Sequence, residues 1–321
     1  MAWATLAHVD FDEAREVFLQ PREGATAPTP DTPALALRHV LEPLAMVHLW
    51  SAPAHEQLRT AGLNFLTGYV GGRGCTLGDV TPGVVASTFA VFEPGLAADL
   101  WRQARATCSI EELLAVRAAS GGEGMRAALE GVDEAEIGRV TRRLREALDA
   151  GGPGELAGRP LYASLRDRPW PTDAHTGLWH VASLYREHRG DTHLAACVAA
   201  GVDGLEANIL TELRAGFDLY EYTGTRGWSP ESMSAASARL EARGLVADGG
   251  LTAAGRDARQ AIEAATDLGQ HRVVEALTGS RERSDGGSDG FDELVATLGS
   301  WADRVVAAGW FPPDPLKRTA G

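Results

Sequence analysis

Apolar residues recur every three to four positions along most of this chain. That spacing places them on one face of an α-helix, so it predicts a mainly helical protein. A glycine at position 190 is expected to interrupt one long helical stretch. The predicted helices cover residues 34–66 with a break at Ser51-Ala-Pro53, 81–92, 110–117, 134–150, 176–188, 192–200, 205–215, 231–243, 252–265 and 291–308.

Capping residues, prolines and glycines mark where several of these helices begin and end. Ser229-Pro230-Glu231 supplies a cap, a proline in the first turn and an acid, which together predict a helix start. Residues 245–252 are predicted to form two short strands around an Asp248-Gly249 turn. Thr252 is predicted to cap the following helix. The clearest linker is Gly151-Gly-Pro-Gly154, which we take as a domain boundary.

Two short blocks of sequence match each other across half of the chain. Tyr69-Val-Gly-Gly-Arg-Gly-Cys-Thr76 and Tyr222-Thr-Gly-Thr-Arg-Gly-Trp-Ser229 lie 153 positions apart, at 69 and 222. A fixed self-similarity of this kind is typical of a duplicated unit. The first block contains Gly71, Gly72 and Gly74 and is predicted to be a turn. We therefore expect two copies of one module with a cleft between them.

The second half of the chain carries the motifs of a known fold. Ala238-Arg-Leu-Glu-Ala-Arg-Gly-Leu-Val246 precedes the predicted hairpin, and Leu251-Thr-Ala-Ala-Gly255 begins the next helix. Residues 176–268 thereby resemble the winged helix of MarR-type regulators, with a weaker likeness over 34–105. The whole chain also resembles an actinobacterial group of predicted helix-turn-helix proteins. These resemblances imply a mainly α fold with short β-hairpins, arranged as a tandem winged-helix-like pseudo-dimer.

Changes in composition along the chain predict five segments. Proline punctuation marks the first segment, and a tract rich in Gly, Ser and Asp marks the fourth. The segments are an N-terminal lead-in (1–33), a first winged-helix-like unit with additional helices (34–150), a second winged-helix-like unit (151–278), a flexible linker (279–290) and a C-terminal helix and tail (291–321).

The net charge of −14 argues against DNA binding. Affinity for DNA depends on the Lys and Arg side chains that neutralise phosphates, so an acidic protein needs a concentrated basic face to bind it. The predicted wing contains Asp248 and no arginine, and the helix predicted at 81–92 has no basic residue. The would-be recognition helix, 231–243, carries two arginines and also two acids. Nucleic acid is therefore a less expected partner than a small molecule.

Several motif classes are missing from the chain. The three cysteines form no CxxC pair, which predicts reduced thiols and a cytoplasmic location. No apolar stretch reaches the length of a membrane span and the N-terminus is not expected to be a signal peptide, so we expect no membrane partner. A Walker loop, a GxGxxG turn after a strand and a GxSxG elbow are all absent. We therefore predict no nucleotide or other cofactor and no serine hydrolase.

One segment between two apolar half-helices is dense in titratable groups. His188, Asp191, His193 and Glu187 are the candidate catalytic residues, because two histidines beside two carboxylates can supply an acid and a base. A structural alternative is that these charges cap and cross-link a kinked helix pair. A metal site in which Glu187, Asp191 or Glu206 completes the set of ligands is a further alternative. The HxxxxH spacing does not place both imidazoles on one helix face, so we predict no metal ligand.

Two arginines occupy matching positions in the repeated blocks, each four residues after a tyrosine. In a pseudo-two-fold arrangement they would enter the cleft from both sides and could hold a carboxylate, phenolate or phosphate. The alternative is that each arginine braces its own turn. The predicted ligand-binding residues are Arg189, Arg73, Arg226, Tyr69, Tyr222, Trp228, Trp179 and His48, with Trp50 as a further candidate wall.

Three functional hypotheses follow from these patterns. The first is a small-molecule-binding protein that has lost DNA binding, in one version an acid–base enzyme of specialised metabolism with its site between the repeats. The second is a DNA-binding regulator of the MarR type with an effector pocket. The third is a purely structural or interaction role. The protein is expected to be a monomeric pseudo-dimer or a homodimer.

Overall fold

The computed structural model describes residues 11–18, 30–279 and 290–312 of the chain. The fold is mainly helical, as predicted, with one small antiparallel hairpin in these described ranges. The elements are α1 (Phe11–Phe18), α2 (Pro33–Trp50), α3 (Ala52–Thr60), α4 (Phe65–Gly74), α5 (Pro82–Thr88), α6 (Pro94–Thr107), α7 (Ile110–Ala128), α8 (Glu134–Gly151), α9 (Pro160–Arg166), α10 (Ala174–Ala199), α11 (Gly204–Arg214), α12 (Pro230–Ala242), β1 (Val246–Ala247), β2 (Gly250–Leu251), α13 (Ala253–Leu268), α14 (His271–Thr278) and α15 (Phe291–Ala307).

Local sequence signals account for several helix boundaries. Ser51 ends α2, and its hydroxyl then accepts a hydrogen bond from the backbone N–H of Ala54 at the start of α3. Ser229 caps α12 in the same way, with Pro230 in the first turn. The predicted break and the predicted helix start are therefore confirmed. The C-terminal helix α15 agrees with the predicted bounds to within one residue and packs against α2.

The larger of two apolar cores lies in a helical body organised around the first half of α10. This half of the helix packs against α2, α7 and α8. Its apolar side chains Leu178, Trp179, Val181 and Leu184 are almost completely buried. Burial of this apolar area on three neighbouring helices is the main stabilising contribution expected for such a body. The core includes residues on both sides of the Gly151 linker, because α10 enters it from the second half of the chain.

The smaller core belongs to a helix–hairpin unit formed by the end of α10, then α11, α12, the hairpin and α13. Ile209, Leu240 and Ile262 come from three different helices and fill its centre. The hairpin pairs Val246 with Leu251, and Asp248 at its turn has a positive φ of 49°. Two central residues with positive φ give the turn that matches the twist of a two-stranded hairpin. The predicted hairpin and the helices predicted at 205–215, 231–243 and 252–265 are thus confirmed.

The two repeated blocks have different local structures. Residues 69–74 lie inside α4 and not in a turn, because the glycines serve close helix packing. A Cβ on Gly71 would lie 2.8 Å from that of Ala104, and one on Gly74 would lie 3.1 Å from the ring of Trp101. The second block contains a short 3₁₀ turn at Thr223–Arg226. Among the described residues, the single hairpin is in the second half, so the tandem pair of winged-helix units is not shown.

Two further expectations about helices were wrong. Gly190 does not divide α10, which continues from Ala174 to Ala199. A glycine inside a helix costs about 1 kcal/mol, and packing along the rest of a long buried helix outweighs that cost. The helix predicted at 81–92 ends at Thr88, and Phe89 leaves the helical conformation.

Parts of the predicted lead-in, linker and tail fall outside the described residues, at 1–10, 19–29, 280–289 and 313–321. Within the described ranges, no helix taken singly has the length and apolar composition of a membrane span. The pair α10 and α11, which meet at 106°, reaches that threshold jointly by length and composition alone.

Candidate functional site

A cavity of about 470 Å³ lies between the helical body and the helix–hairpin unit. Pockets of about 300–1,000 Å³ are typical of small-molecule sites. The body contributes side chains from α2, α4 and α10, and the unit contributes side chains from α11, α13 and the loop before α12. The lining includes Leu37, Arg38, Leu41, Glu42, Leu49, Trp50, Phe65, Tyr69, Arg73, Phe89, Phe92, Arg186, Arg189, Asp191, His193, Leu194, Cys197, Tyr222, Arg226, Arg259, Glu263 and Gln270.

Buried ion pairs form one wall of the cavity. Arg73 on α4 donates two hydrogen bonds to Glu187 on α10, from Nε at 2.8 Å and from NH2 at 2.7 Å. Arg186 donates to Glu42 on α2 at 2.9 Å and also to Glu187 at 3.3 Å. Burial alone would raise the pKa of Glu187, but the two arginines outweigh it and lower the pKa to about 2. Glu187 is therefore an ionised structural partner and not a proton donor.

Aromatic rings connect Arg73 to Arg226 across the cavity. The Arg73 guanidinium lies 4.6 Å from the ring centre of Phe89, and the Arg226 guanidinium lies 5.2 Å from that of Phe92. Tyr69 contacts both phenylalanines, with ring centres at 5.6 and 5.8 Å. These are distances of favourable cation–π and aromatic contacts. The structure thus brings the two predicted arginines to one cavity, although Arg73 crosses to α10 and does not brace a turn of its own.

The Tyr69 hydroxyl lies where positive charge is concentrated. It accepts a hydrogen bond of 2.7 Å from NH1 of Arg73. Burial alone would raise the pKa of the hydroxyl, but Arg73, Arg186 and Arg226 outweigh it and lower the pKa below the usual value. The ring centre of Tyr222 lies 4.2 Å from the guanidinium of Arg226. Both predicted tyrosines therefore line the cavity beside a predicted arginine.

Arg189, the third predicted arginine, belongs to a second buried network. It donates to Asp267 at 2.7 Å, to Gln270 at 2.6 Å and to Glu263. Arg259 donates to the same Glu263 at 2.6 Å. Burial opposes ionisation of Glu263, but Arg259 and Arg189 lower its pKa to about 2. Arg189 lines the cavity and at the same time ties α10 to α13.

The predicted catalytic residues do not meet in one centre. His188 faces away from the cavity, where its Nε2 lies 3.0 Å from Glu155 and its ring contacts Tyr162. Because α10 is continuous, the five residues from His188 to His193 correspond to about 140° around the helix axis. Among the described residues, no group of three His, Cys, Asp or Glu side chains is arranged to hold a metal ion.

Asp191 and His193 do line the cavity, each with a structural partner. Asp191 accepts a hydrogen bond of 2.9 Å from the backbone N–H of Tyr162, so it caps α9 and not its own helix. Burial raises the pKa of Asp191 to about 7. His193 Nδ1 contacts the hydroxyl of Thr266 at 3.1 Å, and burial lowers the pKa of this imidazole to about 4. The thiol of Cys197, 3.6 Å from His193, has a pKa raised to about 11 by burial and stays protonated at neutral pH.

Three predicted wall residues lie elsewhere, and one further candidate lines the cavity. Trp179 and His48 lie in the core of the helical body, where both bond the carbonyl oxygen of Ala45. Trp228 donates to the carbonyl of Val91 at 2.9 Å and ties the unit to the body. Trp50, by contrast, lines the cavity. Large aromatic side chains fill cores as readily as pockets, and spacing alone does not distinguish the two roles.

Sequence reasoning missed the residue that shapes the loop before α12. The carboxylate of Glu212, which has no exposed surface, accepts backbone hydrogen bonds from Tyr220, Tyr222 and Thr223. These bonds hold the loop that carries Arg226. An acid within the predicted helix at 205–215 was the only available signal, and such acids are usually exposed.

The arginines of α12 are paired with acids at the start of α11. Arg239 donates to Glu206 at 2.8 Å and to Asp203 at 2.6 Å. Arg243 donates to Glu206 at 3.4 Å and to the carbonyl of Gly201 at 3.0 Å. Glu206 thus acts as an ion-pair partner within the unit. Arg239 in α12 and Arg243 directly after it are thus ion-paired within the unit, with side-chain exposures of 49% and 38%.

Comparison with known proteins gives one match. The sequence fits the profile of a helix-turn-helix family over residues 34–312. Because this match covers most of the chain, the protein belongs to that helix-turn-helix family. Searches of curated proteins and of solved structures each return no match.

Proposed function

We propose that this protein binds a small molecule in the cavity between the helical body and the helix–hairpin unit. The observation that carries the proposal is the cavity itself, which has the volume of a ligand site and walls from both cores. Its lining combines an apolar surface with a few polar groups in fixed positions, the usual make-up of such a site. Arg73, Arg189, Arg226, Tyr69 and Tyr222 are its proposed ligand-binding residues.

We further propose that the unit has lost DNA binding. A recognition helix needs basic and polar side chains that are available to phosphates and bases. Arg239 and Arg243 are instead bonded to Glu206 and its neighbours, the hairpin turn carries Asp248, and the net charge is −14. Membership in a helix-turn-helix family supports the alternative, a regulator whose effector occupies the same cavity.

The version with acid–base catalysis rests on two side chains. Asp191 and His193 line the cavity. Glu187 is instead ion-paired with Arg73, and His188 lies on the side of α10 that faces away from the cavity, beside Glu155. A carboxyl group with a pKa of about 7 can exchange a proton near neutral pH. Asp191 is therefore the side chain that we propose for any proton transfer. The proposal that the cavity binds a small molecule does not depend on this catalytic step.

A neutral fluorescent probe tests the cavity. N-phenyl-1-naphthylamine should increase its fluorescence on binding, and Leu194→Trp, which adds bulk to the lining, should weaken binding at least tenfold. Leu156→Trp, at a half-exposed position away from the cavity, is the matched control and should bind like the natural protein. Equal binding by all three proteins, or no binding by any, would contradict the proposal.

A second measurement separates the binding protein from the regulator. Fluorescence anisotropy with labelled duplexes from the region upstream of its own gene should show no specific complex at low salt. Non-specific DNA binding weakens steeply with salt, so titrations at two salt concentrations identify it. A tight complex that prefers the upstream sequence over a random duplex would establish the regulator instead.

A further inference from the structure

Tyr69 lines the cavity, and its hydroxyl is a hydrogen-bond donor without a protein acceptor among the described residues. The hydroxyl oxygen accepts a hydrogen bond of 2.7 Å from Arg73. The further contacts given for this side chain are made by its ring, to Phe89, Phe92 and the guanidinium of Arg73. A partly buried hydroxyl normally finds an acceptor. The molecule that fills the cavity is in position to supply one.

Positive charge outweighs negative charge around this hydroxyl. Arg73 donates a hydrogen bond to its oxygen, and the charges of Arg73, Arg186 and Arg226 together outweigh that of Glu187 and lower the pKa of the phenol. The Arg226 guanidinium is held between the rings of Tyr222 and Phe92, at 4.2 and 5.2 Å from their centres. Stacking on two rings restricts its motion, so little entropy is lost when it contacts a ligand. An acceptor that carries a negative charge suits this place better than a neutral one.

Part of the cavity lining is apolar. Leu37, Leu41 and Leu49 of α2 contribute to it, and so do Trp50 and Phe65, whose ring centres lie 4.5 Å apart. The leucine and phenylalanine side chains offer no hydrogen bond to a ligand. An apolar chain or ring placed against them gains stability in proportion to the area removed from water. The cavity therefore combines charged, donor-rich groups with an apolar surface.

We infer that the ligand is an organic acid with an apolar body. One carboxylate oxygen accepts the proton of the Tyr69 hydroxyl, the carboxylate pairs with the Arg226 guanidinium, and the hydrocarbon lies along α2. This inference depends on the proposed function, because it concerns the occupant of the same cavity. It also gives Tyr69 and Arg226 distinct tasks, hydrogen-bond donation and charge neutralisation.

Displacement of the neutral probe N-phenyl-1-naphthylamine by decanoate and by decanol tests the inference. The two competitors share one chain and differ in charge. Decanoate should displace the probe from the natural protein at a concentration at least tenfold lower, which corresponds to about 1.4 kcal/mol. Tyr69→Phe and Arg226→Met should each reduce this preference to less than threefold while the affinity for decanol is retained.

Matched variants control for lost stability and for a change in overall charge. Tyr220→Phe removes a phenol hydroxyl that bonds Ser237 outside the cavity, and Arg256→Met removes a surface arginine. Both should keep the full preference for decanoate. Far-UV circular dichroism checks that each variant is folded, and Tyr69→Phe decides the outcome if Arg226→Met is not.

The outcomes separate this inference from the proposed function. If the probe binds and the two competitors displace it equally, the ligand is not selected as an acid and the inference is overturned while the cavity stands. A preference that survives in both Tyr69→Phe and Arg226→Met overturns the assignment of the two residues. If neither the probe nor decanoate, titrated directly by calorimetry, binds the natural protein, the proposed function fails together with the inference.

Discussion

The ion pair between Arg73 and Glu187 makes a quantitative prediction. Glu187→Gln keeps the size of the side chain and removes its charge, so Arg73 and Arg186 lose the carboxylate that both of them contact. Both partners of the main pair are buried, with side-chain exposures of 9% for Arg73 and 6% for Glu187. Water therefore cannot replace the missing charge at low cost.

The expected loss of stability follows from the pKa of Glu187. The pKa falls from 4.5 to about 2 on folding, a shift equivalent to about 3 kcal/mol in favour of the charged form. Removing one partner of a buried pair typically costs about 3–5 kcal/mol. We therefore expect Glu187→Gln to lower the free energy of unfolding at pH 7 by about 3–5 kcal/mol.

The deficit should also depend on pH. Because folding lowers this pKa, the stabilisation is complete above pH 4.5 and is lost as the pH falls through 2. As the pH falls from 7 to 4, Glu187 begins to bind a proton in the unfolded chain while it stays ionised in the folded protein. The difference between the natural protein and Glu187→Gln should therefore narrow by about 1 kcal/mol over this range.

Urea unfolding followed by tryptophan fluorescence measures these differences. Asp99→Asn is the control, because Asp99 pairs with Arg102 on the surface of α6. Loss of this exposed pair should change the free energy of unfolding by less than about 1 kcal/mol. In addition, the double variant Arg73→Met with Glu187→Gln should be at least about 1 kcal/mol more stable than the sum of the single effects predicts. If Glu187→Gln behaves like Asp99→Asn, the buried network does not contribute the stability expected of it.

Three further predictions concern other parts of the molecule. Burial raises the pKa of Asp191 from 3.8 to about 7, so folding favours the protonated carboxyl, and the free energy of unfolding should fall by up to about 4 kcal/mol between pH 4 and pH 7. Asp191→Asn should abolish this fall, and an unchanged pH dependence in thermal melts would contradict the prediction. Gly121→Ala should lower the free energy of unfolding by about 2–3 kcal/mol, because the new Cβ would lie 2.1 Å from the ring of Trp179. Gly138→Ala places its Cβ in open space and should be neutral or slightly stabilising in the same urea titration. Glu212→Gln should weaken binding of the neutral probe severalfold without touching the ligand, because three backbone hydrogen bonds of the cavity loop depend on it, and normal binding would argue against that dependence.

Most of the elements were predictable because their signals are local. The cap at Ser229, the turn at Asp248 and the apolar spacing of α15 depend on residues within a few positions of one another. The turn predicted around Gly71 was wrong for the opposite reason. Whether a glycine ends a helix or allows close packing depends on what faces it, in this case Ala104 from another helix.

The site was only partly predictable for the same reason. The repeated blocks predict Arg73 and Arg226 as a matched pair, and both side chains line one cavity. Their local structures differ, because Arg73 lies in an α-helix and Arg226 in a 3₁₀ turn. His188 was grouped with His193 by nearness in sequence, but a continuous helix turns them to different sides. Glu212 carried no sequence signal, because the loop amides it binds come together only in the folded protein.

The helical class, the position of the hairpin and the strong excess of negative charge can all be inferred from the order and composition of the residues. These follow from the spacing of apolar residues, from backbone preferences and from composition, all of which act over short distances or as a sum over the chain. Which charges are paired, and which side chains meet in the cavity, depends instead on the three-dimensional packing of the helices. Burial and distance set the strength of those interactions, and both arise from packing between helices that are far apart in sequence.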